Sequence, residues 1–287
     1  MFLKNRKKYI IILLSIGDDY MKLAFIGAGN MATAIIKSIV NSCRMSPDSI
    51  FVFDKFSEKV DALSELGIIK CSTLKDACNS AEVIVLAVKP QDYEALLLDI
   101  SKNTDKLESK IFVSIAAAIS CDYICKTLGI ECPVIRVMPN TPMLLGVGAT
   151  AISRNKLVND KNYSKICVLF ACAGTVCSLD EDMMNKVISV NSSSPVYLYM
   201  LAKYMTDKAI EYGISEKNAA ELVYQTLKGS VEMLMKSNKT PEELIRMVAS
   251  PGGTTLAAIS SLENNGYEKI INDAMDACTK RADELSR

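Results

Sequence analysis

Residues 22–26 form an apolar run of strand length that ends in Gly27-x-Gly29-x-x-Ala32. Ile35, Ile36, Ile39 and Val40 then follow at helical spacing. Glycine at 27 permits a tight turn, glycine at 29 lets a backbone approach a pyrophosphate, and the small Ala32 lets the helix pack closely on the strand. The helix start then offers N–H groups and a favourable dipole to the anion. A lone GxGxxG carries little weight; the strand before it and the helix after it give it meaning. The chain is therefore expected to open with a dinucleotide-binding βαβ unit.

The pattern continues. Apolar strands are expected at 50–53, 83–88, 111–115 and 134–138, with two more at 149–152 and 175–179. Fully apolar strands alternating with helices indicate a parallel, doubly wound sheet covered on both faces. The pattern ends near residue 180. From Pro195 nothing reads as a strand, and 195–212, 215–236, 241–249, 254–264 and 267–286 carry helical periodicity. Thr240-Pro241-Glu242-Glu243 is a capping box with proline at the first helical position. The expected division is an extension at 1–20, an α/β domain at 21–180 and an all-α domain at 181–287. The helices hold more Leu, Met, Ala and Tyr than one core stripe needs, so a second subunit is expected to cover part of them.

Composition narrows the chemistry. Lys plus Arg equals Asp plus Glu at 33 each, which gives no electrostatic reason for a nucleic-acid or anionic-membrane partner. The ten cysteines include no CxxC pair. Cys121 and Cys125 are four apart, but the chain has no histidine to complete a common zinc set, so no metal is expected. Buried, reduced thiols in a cytoplasmic protein are the expectation. Lack of histidine also removes Ser-His-Asp and Cys-His nucleophiles and dehydrogenases that use a histidine acid. Near the N-terminus, Lys4–Lys8 are mostly basic and Tyr9–Ile16 mostly apolar. That run is shorter than the ~20 residues of a membrane helix. Asp18 and Asp19 stand where a signal peptide would have small residues, so 1–20 read as a dispensable extension.

Asp54 ends the second strand, where an acid can bond adenosine ribose hydroxyls and repel a 2′-phosphate. Lys55 and Lys59 lie close by and could accept that phosphate. The acid tilts this reading toward NADH, with NADPH open.

Five segments, taken in order, resemble the pyrroline-5-carboxylate reductase family. They are Phe25–Ala32, Ala87-Val88-Lys89-Pro90-Gln91, Ser114-Ile115-Ala116-Ala117, Arg136-Val137-Met138-Pro139-Asn140-Thr141-Pro142 and Ser250-Pro251-Gly252-Gly253-Thr254-Thr255. The resemblance covers nearly all of 21–287. It implies a Rossmann-like doubly wound sheet followed by an all-α dimerisation domain, in a homodimer or a higher assembly of dimers. It also implies NADPH- or NADH-dependent hydride transfer to the C=N bond of 1-pyrroline-5-carboxylate, giving L-proline. By position, Gly27, Ala28, Gly29, Asn30 and Met31 would line the diphosphate and Asp54 the adenosine ribose. Val88, Lys89 and Pro90 would border the adenosine ribose and the nicotinamide side, and Ala116 and Ala117 the nicotinamide ribose. Glu181 would lie near the substrate. Ser250, Gly252, Gly253, Thr254 and Thr255 would form the substrate loop, which in the family helps close the other subunit's cofactor site.

That loop has its own logic. Pro251 stops one helix, Gly252 and Gly253 leave the backbone bare, and Thr254 or Thr255 starts the next. A glycine-preceded helix start suits a carboxylate. From the residues alone a plain cap reads equally well; the resemblance favours the site. Ser250 would donate to the carboxylate and Thr255 would bond the ring nitrogen. A protonated imine is already a strong electrophile, so a chain without histidine suffices. Lys89 reads as cofactor-positioning, Asn140 and Thr141 as turn formers, and Tyr197 as core. Arg136 reads equally as a structural ion-pair partner, and Glu181 equally as a solvated loop acid. The departures are Asn191-Ser192-Ser193-Ser194 for the family's Ser-Gly-Ser-Gly, Ala118 for a common glycine, and Met247 for a polar residue. The rivals are an imine reductase, a β-hydroxyacid dehydrogenase relative, a coenzyme F420-linked reductase, or a dinucleotide sensor without turnover. None of these is expected to carry an intact Ser250–Thr255 loop.

Overall fold

The computed structural model describes residues 21–287, so the extension expected at 1–20 lies outside the described residues. Eight strands form one sheet: β1 Leu23–Ile26, β2 Ile50–Phe53, β3 Ile69–Lys70, β4 Val83–Leu86, β5 Ile111–Ser114, β6 Val134–Met138, β7 Gly148–Arg154 and β8 Gly174–Ser178. Their order is β3-β2-β1-β4-β5-β6-β7-β8. β1 pairs in parallel with both β2 and β4, Leu23 lying opposite Ile50 and Val83. The order reverses there, which opens a crevice beyond the carboxyl ends of these strands.

The all-apolar strands are explained by two covered faces. Alternate residues point to opposite sides. Leu23, Phe25, Val83, Val85 and Val113 join one core with helices α1 (Asn30–Asn41) and α6 (Asp160–Ala171). Ala24, Ile26, Ile84, Leu86 and Phe112 join the other. That second face is covered by α3 (Leu74–Ser80), α4 (Tyr93–Asn103) and α5 (Cys121–Leu128). A short helix, α2 (Ser57–Asp61), follows β2.

Two expectations need correction. The sheet is not wholly parallel: β6 and β7 pair antiparallel, Met138 opposite Ala151. The stretch 139–147 between them holds only a 3-10 turn. A parallel crossover needs a dozen residues or more. The two-residue edge strand β3 was also not expected, because both its residues are exposed and give no apolar run.

The described residues form two compact units. One runs to Ser192 and regains Thr279–Arg287; the other is Ser193–Cys278. The sequence pattern alone placed the division near 180. The stretch 181–192 joins the sheet unit because its side chains bond there: Glu181 faces Arg136, and Asn191 Nδ2 donates to Met138 O at 2.7 Å.

The second unit is helical throughout: α7 (Pro195–Glu211), α8 (Glu216–Lys236), α9 (Pro241–Val248), α10 (Thr254–Asn264) and most of α11 (Tyr267–Glu284). Thr240 caps α9 in the expected capping box with Glu243. Ala219 and Val223 are the buried residues of α8, while α7, α9 and α10 have none. Leu198, Tyr199, Tyr204, Leu222, Tyr224 and Met235 are all exposed in the single chain. Among the described residues no helix is long and apolar enough to cross a membrane.

Candidate active site

Gly27 closes the β1 turn at φ +106°, where side chains are disfavoured. A Cβ there would lie 2.6 Å from the Ala87 carbonyl oxygen, so the end of β4 also demands glycine. Gly29 is the N-cap of α1 and has open space where a Cβ would stand. No side chain caps this start, and its first turn has no acidic residue. Exposed Asn30 and half-buried Met31 follow. The bare cradle, the uncapped helix N–H groups and a first turn without an acidic side chain fit a pyrophosphate.

Asp54 holds this loop rather than facing outward with both oxygens free. Its Oδ2 accepts from Ala28 N–H at 2.8 Å and its Oδ1 from Phe56 N–H at 2.9 Å. Lys59 Nζ is 3.8 Å from Oδ1. Phe56 is 47% exposed. The Lys55 and Lys59 ammoniums stand 5.3 and 4.6 Å from its ring centroid. The charge repulsion that favoured NADH is thereby reduced, and two cations flank an open aromatic face.

The next loops complete the row. Ala87 and Val88 are half-buried, and exposed Lys89 and Pro90 lead into a 3-10 turn. Beyond β5, Ile115, Ala116 and Ala117 are half-buried. Buried Tyr93 ties these two loops together. Its hydroxyl donates to Leu86 O at 2.8 Å and lies 2.9 Å from Ser114 Oγ. Burial pushes the phenol well above its usual pKa and keeps it a donor. Ser114 Oγ is in turn 3.4 Å from Ala116 N. Sequence reasoning missed Tyr93, because a tyrosine beginning a helix carries no local sign of a partner 21 residues on.

Ala118, noted for replacing a glycine, adopts φ +61° while buried. An L-residue in the left-handed region costs roughly 1–2 kcal/mol. The preference for glycine here is therefore a backbone requirement, met in this chain under strain.

Glu181 and Arg136 have structural partners. Glu181 Oε1 accepts from Cys121 N–H at the start of α5 at 2.8 Å and lies 3.5 Å from Arg136 Nη1. Arg136 is buried and also donates to Asn185 Oδ1 at 3.1 Å. Glu181 is thus no solvated loop acid; its carboxylate anchors a helix start and neutralises a buried guanidinium. Asn140 does more than shape a turn. It is buried, donates to Asn191 O at 3.1 Å and accepts from Ala149 N–H at 2.8 Å. Asn191 returns bonds to Met138 O and Ala149 O.

In the helical unit, α9 ends at Val248 and α10 begins at Thr254 on the N-cap Gly253. Gly253 N–H donates to Ser250 O at 3.0 Å, and Gly252 takes φ +70°. No side chain caps α10. A Cβ on Gly253 would fall 2.5 Å from Ser250 Oγ, so the serine hydroxyl lies directly over the bare glycine. Thr255 is half-buried in the first turn. No group of three or more potential metal ligands exists among the described residues. All ten cysteines are free; four are buried, but Cys43 and Cys177 are exposed, contrary to a uniformly buried set.

A glycine-turn α/β unit with an open anion cradle, followed by an apolar-surfaced helical unit, defines a dinucleotide-dependent oxidoreductase with a dimerisation domain. Residues 181–285 match the family model for pyrroline-5-carboxylate reductase dimerisation. Residues 22–118 match that for NADP oxidoreductase coenzyme F420-dependent. Pyrroline-5-carboxylate reductase of Escherichia coli is 33% identical over 93% of this chain and 98% of its own. That of Pseudomonas aeruginosa is 34% identical over 92% and 97%. The Coxiella burnetii reductase structure aligns with TM-score 0.86 and 27% identity over 94% of this chain and 100% of that one. The Plasmodium falciparum structure, which has NADP bound, aligns with TM-score 0.84 and 27% identity over 94% and 100%. This chain belongs to the pyrroline-5-carboxylate reductase family.

Proposed function

We propose that the protein reduces 1-pyrroline-5-carboxylate to L-proline, using NADPH in preference to NADH. The observation that carries this is the second bare helix start, Gly253 under Ser250, in a chain whose first bare start already suits a dinucleotide. The family relationship, which spans 93% of the chain, supports it.

Gly27, Ala28, Gly29, Asn30 and Met31 hold the diphosphate at α1. Asp54 orders that loop from behind, and Lys55 and Lys59 meet the 2′-phosphate beside Phe56. Val88, Lys89 and Pro90 border the adenosine ribose and the nicotinamide side of the cofactor, and Ala116 and Ala117 its nicotinamide ribose. Reduced NADP supplies the hydride when bound. The first-turn N–H groups of α10, with Gly252, Gly253 and Thr254, take the substrate carboxylate, and Ser250 donates its hydroxyl to it. Thr255 hydrogen-bonds the ring nitrogen and fixes which face of the C=N bond is presented. Glu181 acts through Arg136 and the α5 start rather than on the substrate. The working form is a homodimer or an assembly of homodimers, in the cytoplasm, where ten free thiols stay reduced.

The deciding assay follows NADPH and NADH oxidation with and without pyrroline-5-carboxylate. Substrate-dependent oxidation that is faster with NADPH is expected. Neither cofactor responding to the substrate would reject the assignment.

A further inference from the structure

The loop after β5 is held from the far end of the chain. Arg287 N–H donates to Ala118 O at 2.9 Å, and Ser120 N–H donates to Arg287 O at 2.9 Å. This two-bond bridge brackets Ile119, and one of its bonds is to the carbonyl of the left-handed Ala118. The residues leading to Arg287 are themselves fixed. Asn185 Nδ2 donates to Asp283 Oδ1 at 3.0 Å and lies 3.4 Å from Ser286 Oγ. Thr279 and Ser189 hydroxyls are 3.2 Å apart. Asn185 also accepts from Arg136, which pairs with Glu181, which accepts from Cys121 N–H. The circuit closes: Cys121, Glu181, Arg136, Asn185, the last turn of α11, Arg287, and back to Ala118 and Ser120. Every member lies in the sheet unit.

A bridge that pins the carbonyl of a strained residue and the backbone just after it fixes where the short loop ends, and so limits the two residues before it. Those residues are Ala116 and Ala117, at the carboxyl end of β5. A dinucleotide with its adenosine at β2 and its diphosphate at the β1 turn would extend its nicotinamide half toward β4 and β5. We infer that Arg287 is a positioning residue for the nicotinamide half of the cofactor site, acting through its backbone and not its side chain. The inference rests on the reading that Ala116 and Ala117 border the nicotinamide ribose. The Arg287 guanidinium itself is half-exposed and only 4.0 Å from Glu94, a contact worth little.

Three full-length variants separate backbone from side chain. Arg287→Pro removes the N–H that Ala118 O accepts from. Arg287→Ala keeps both backbone bonds. Deletion of Arg287 removes both. Calorimetry would give Kd for NADP+ and for adenosine 2′,5′-bisphosphate, which fills only the adenosine half. Arg287→Pro and the deletion should bind NADP+ about fivefold to tenfold more weakly, the scale of one or two lost hydrogen bonds, with the bisphosphate Kd changed less than about twofold. Arg287→Ala should match the wild type for both ligands. Equal NADP+ affinity in all variants, parallel loss of both ligands, or the same loss in Arg287→Ala would overturn the inference alone. A wild-type protein that fails to bind NADP+ would overturn the cofactor reading and this inference with it.

Discussion

The sheet unit and the helical unit treat their apolar residues in opposite ways. Every residue of β1, β4 and β5 is buried within the single chain. In contrast α7, α9 and α10 bury none of theirs, and Leu198, Leu222 and Tyr224 stand exposed. A sheet closed by helices on both faces satisfies itself. Amphipathic helices with apolar residues left over require another surface. The match of residues 181–285 to a dimerisation family model supports a homodimer, and a second copy would supply such a surface.

The sharpest way to break this contrast is to charge the helical unit. Leu198→Glu combined with Leu222→Glu should weaken self-association by at least about a thousandfold, since each buried leucine contributes roughly 2 kcal/mol and symmetry doubles the count. Sedimentation should show monomer, and a variant that stays dimeric would show that the face carrying Leu198 and Leu222 is not the one the second copy covers. The next largest effect should come from the glycine turns. Gly27→Val forces a side chain against Ala87 O and should raise the Kd for NADPH on the order of a hundredfold in titration calorimetry. Gly253→Val displaces Ser250 Oγ from the α10 start. It should raise KM for pyrroline-5-carboxylate about tenfold while leaving NADPH affinity intact. An equal loss of both would mean that the two starts do not divide the ligands between them. Thr255→Ala should lower kcat/KM about tenfold, the cost of one hydrogen bond to the reacting ring, in steady-state assays.

The smallest effect concerns thiols. Exposed Cys43 and Cys177 should react with a disulfide reagent at pH 8 within minutes. Burial pushes the Cys78 and Cys167 thiols up to about 11 and raises Cys121 and Cys132 further. A raised thiol pKa leaves less thiolate at any pH below it, so these four should lag until the sheet unit opens. Uniformly fast labelling of all ten would contradict the self-contained core.

Local features of the site were legible along the chain. Gly27, Gly29 and Ala32 lie within six residues and between a strand and a helix, so their meaning depends on neighbours in sequence. The same holds for Ser250–Thr255 and for the Thr240 capping box. Asp54 was legible as a position but not as a set of bonds, because Ala28 lies 26 residues before it. The bonds of Glu181 were not legible either, because nothing nearby in sequence announces Arg136, 45 residues away.

Residue order alone therefore determined the strand-turn-helix that opens the molecule, the change from sheet to helices, and the glycine-bared loop between α9 and α10. Each follows from periodicity, chain stiffness and steric freedom over a few neighbouring residues. Tertiary structure alone decided the antiparallel turn of β7, the bonds of Tyr93, Asn140 and Glu181, and the meeting of Arg287 with Ala118. Hydrogen bonds between distant groups form only when the packed core brings them within about 3 Å, and no short window of sequence records that distance.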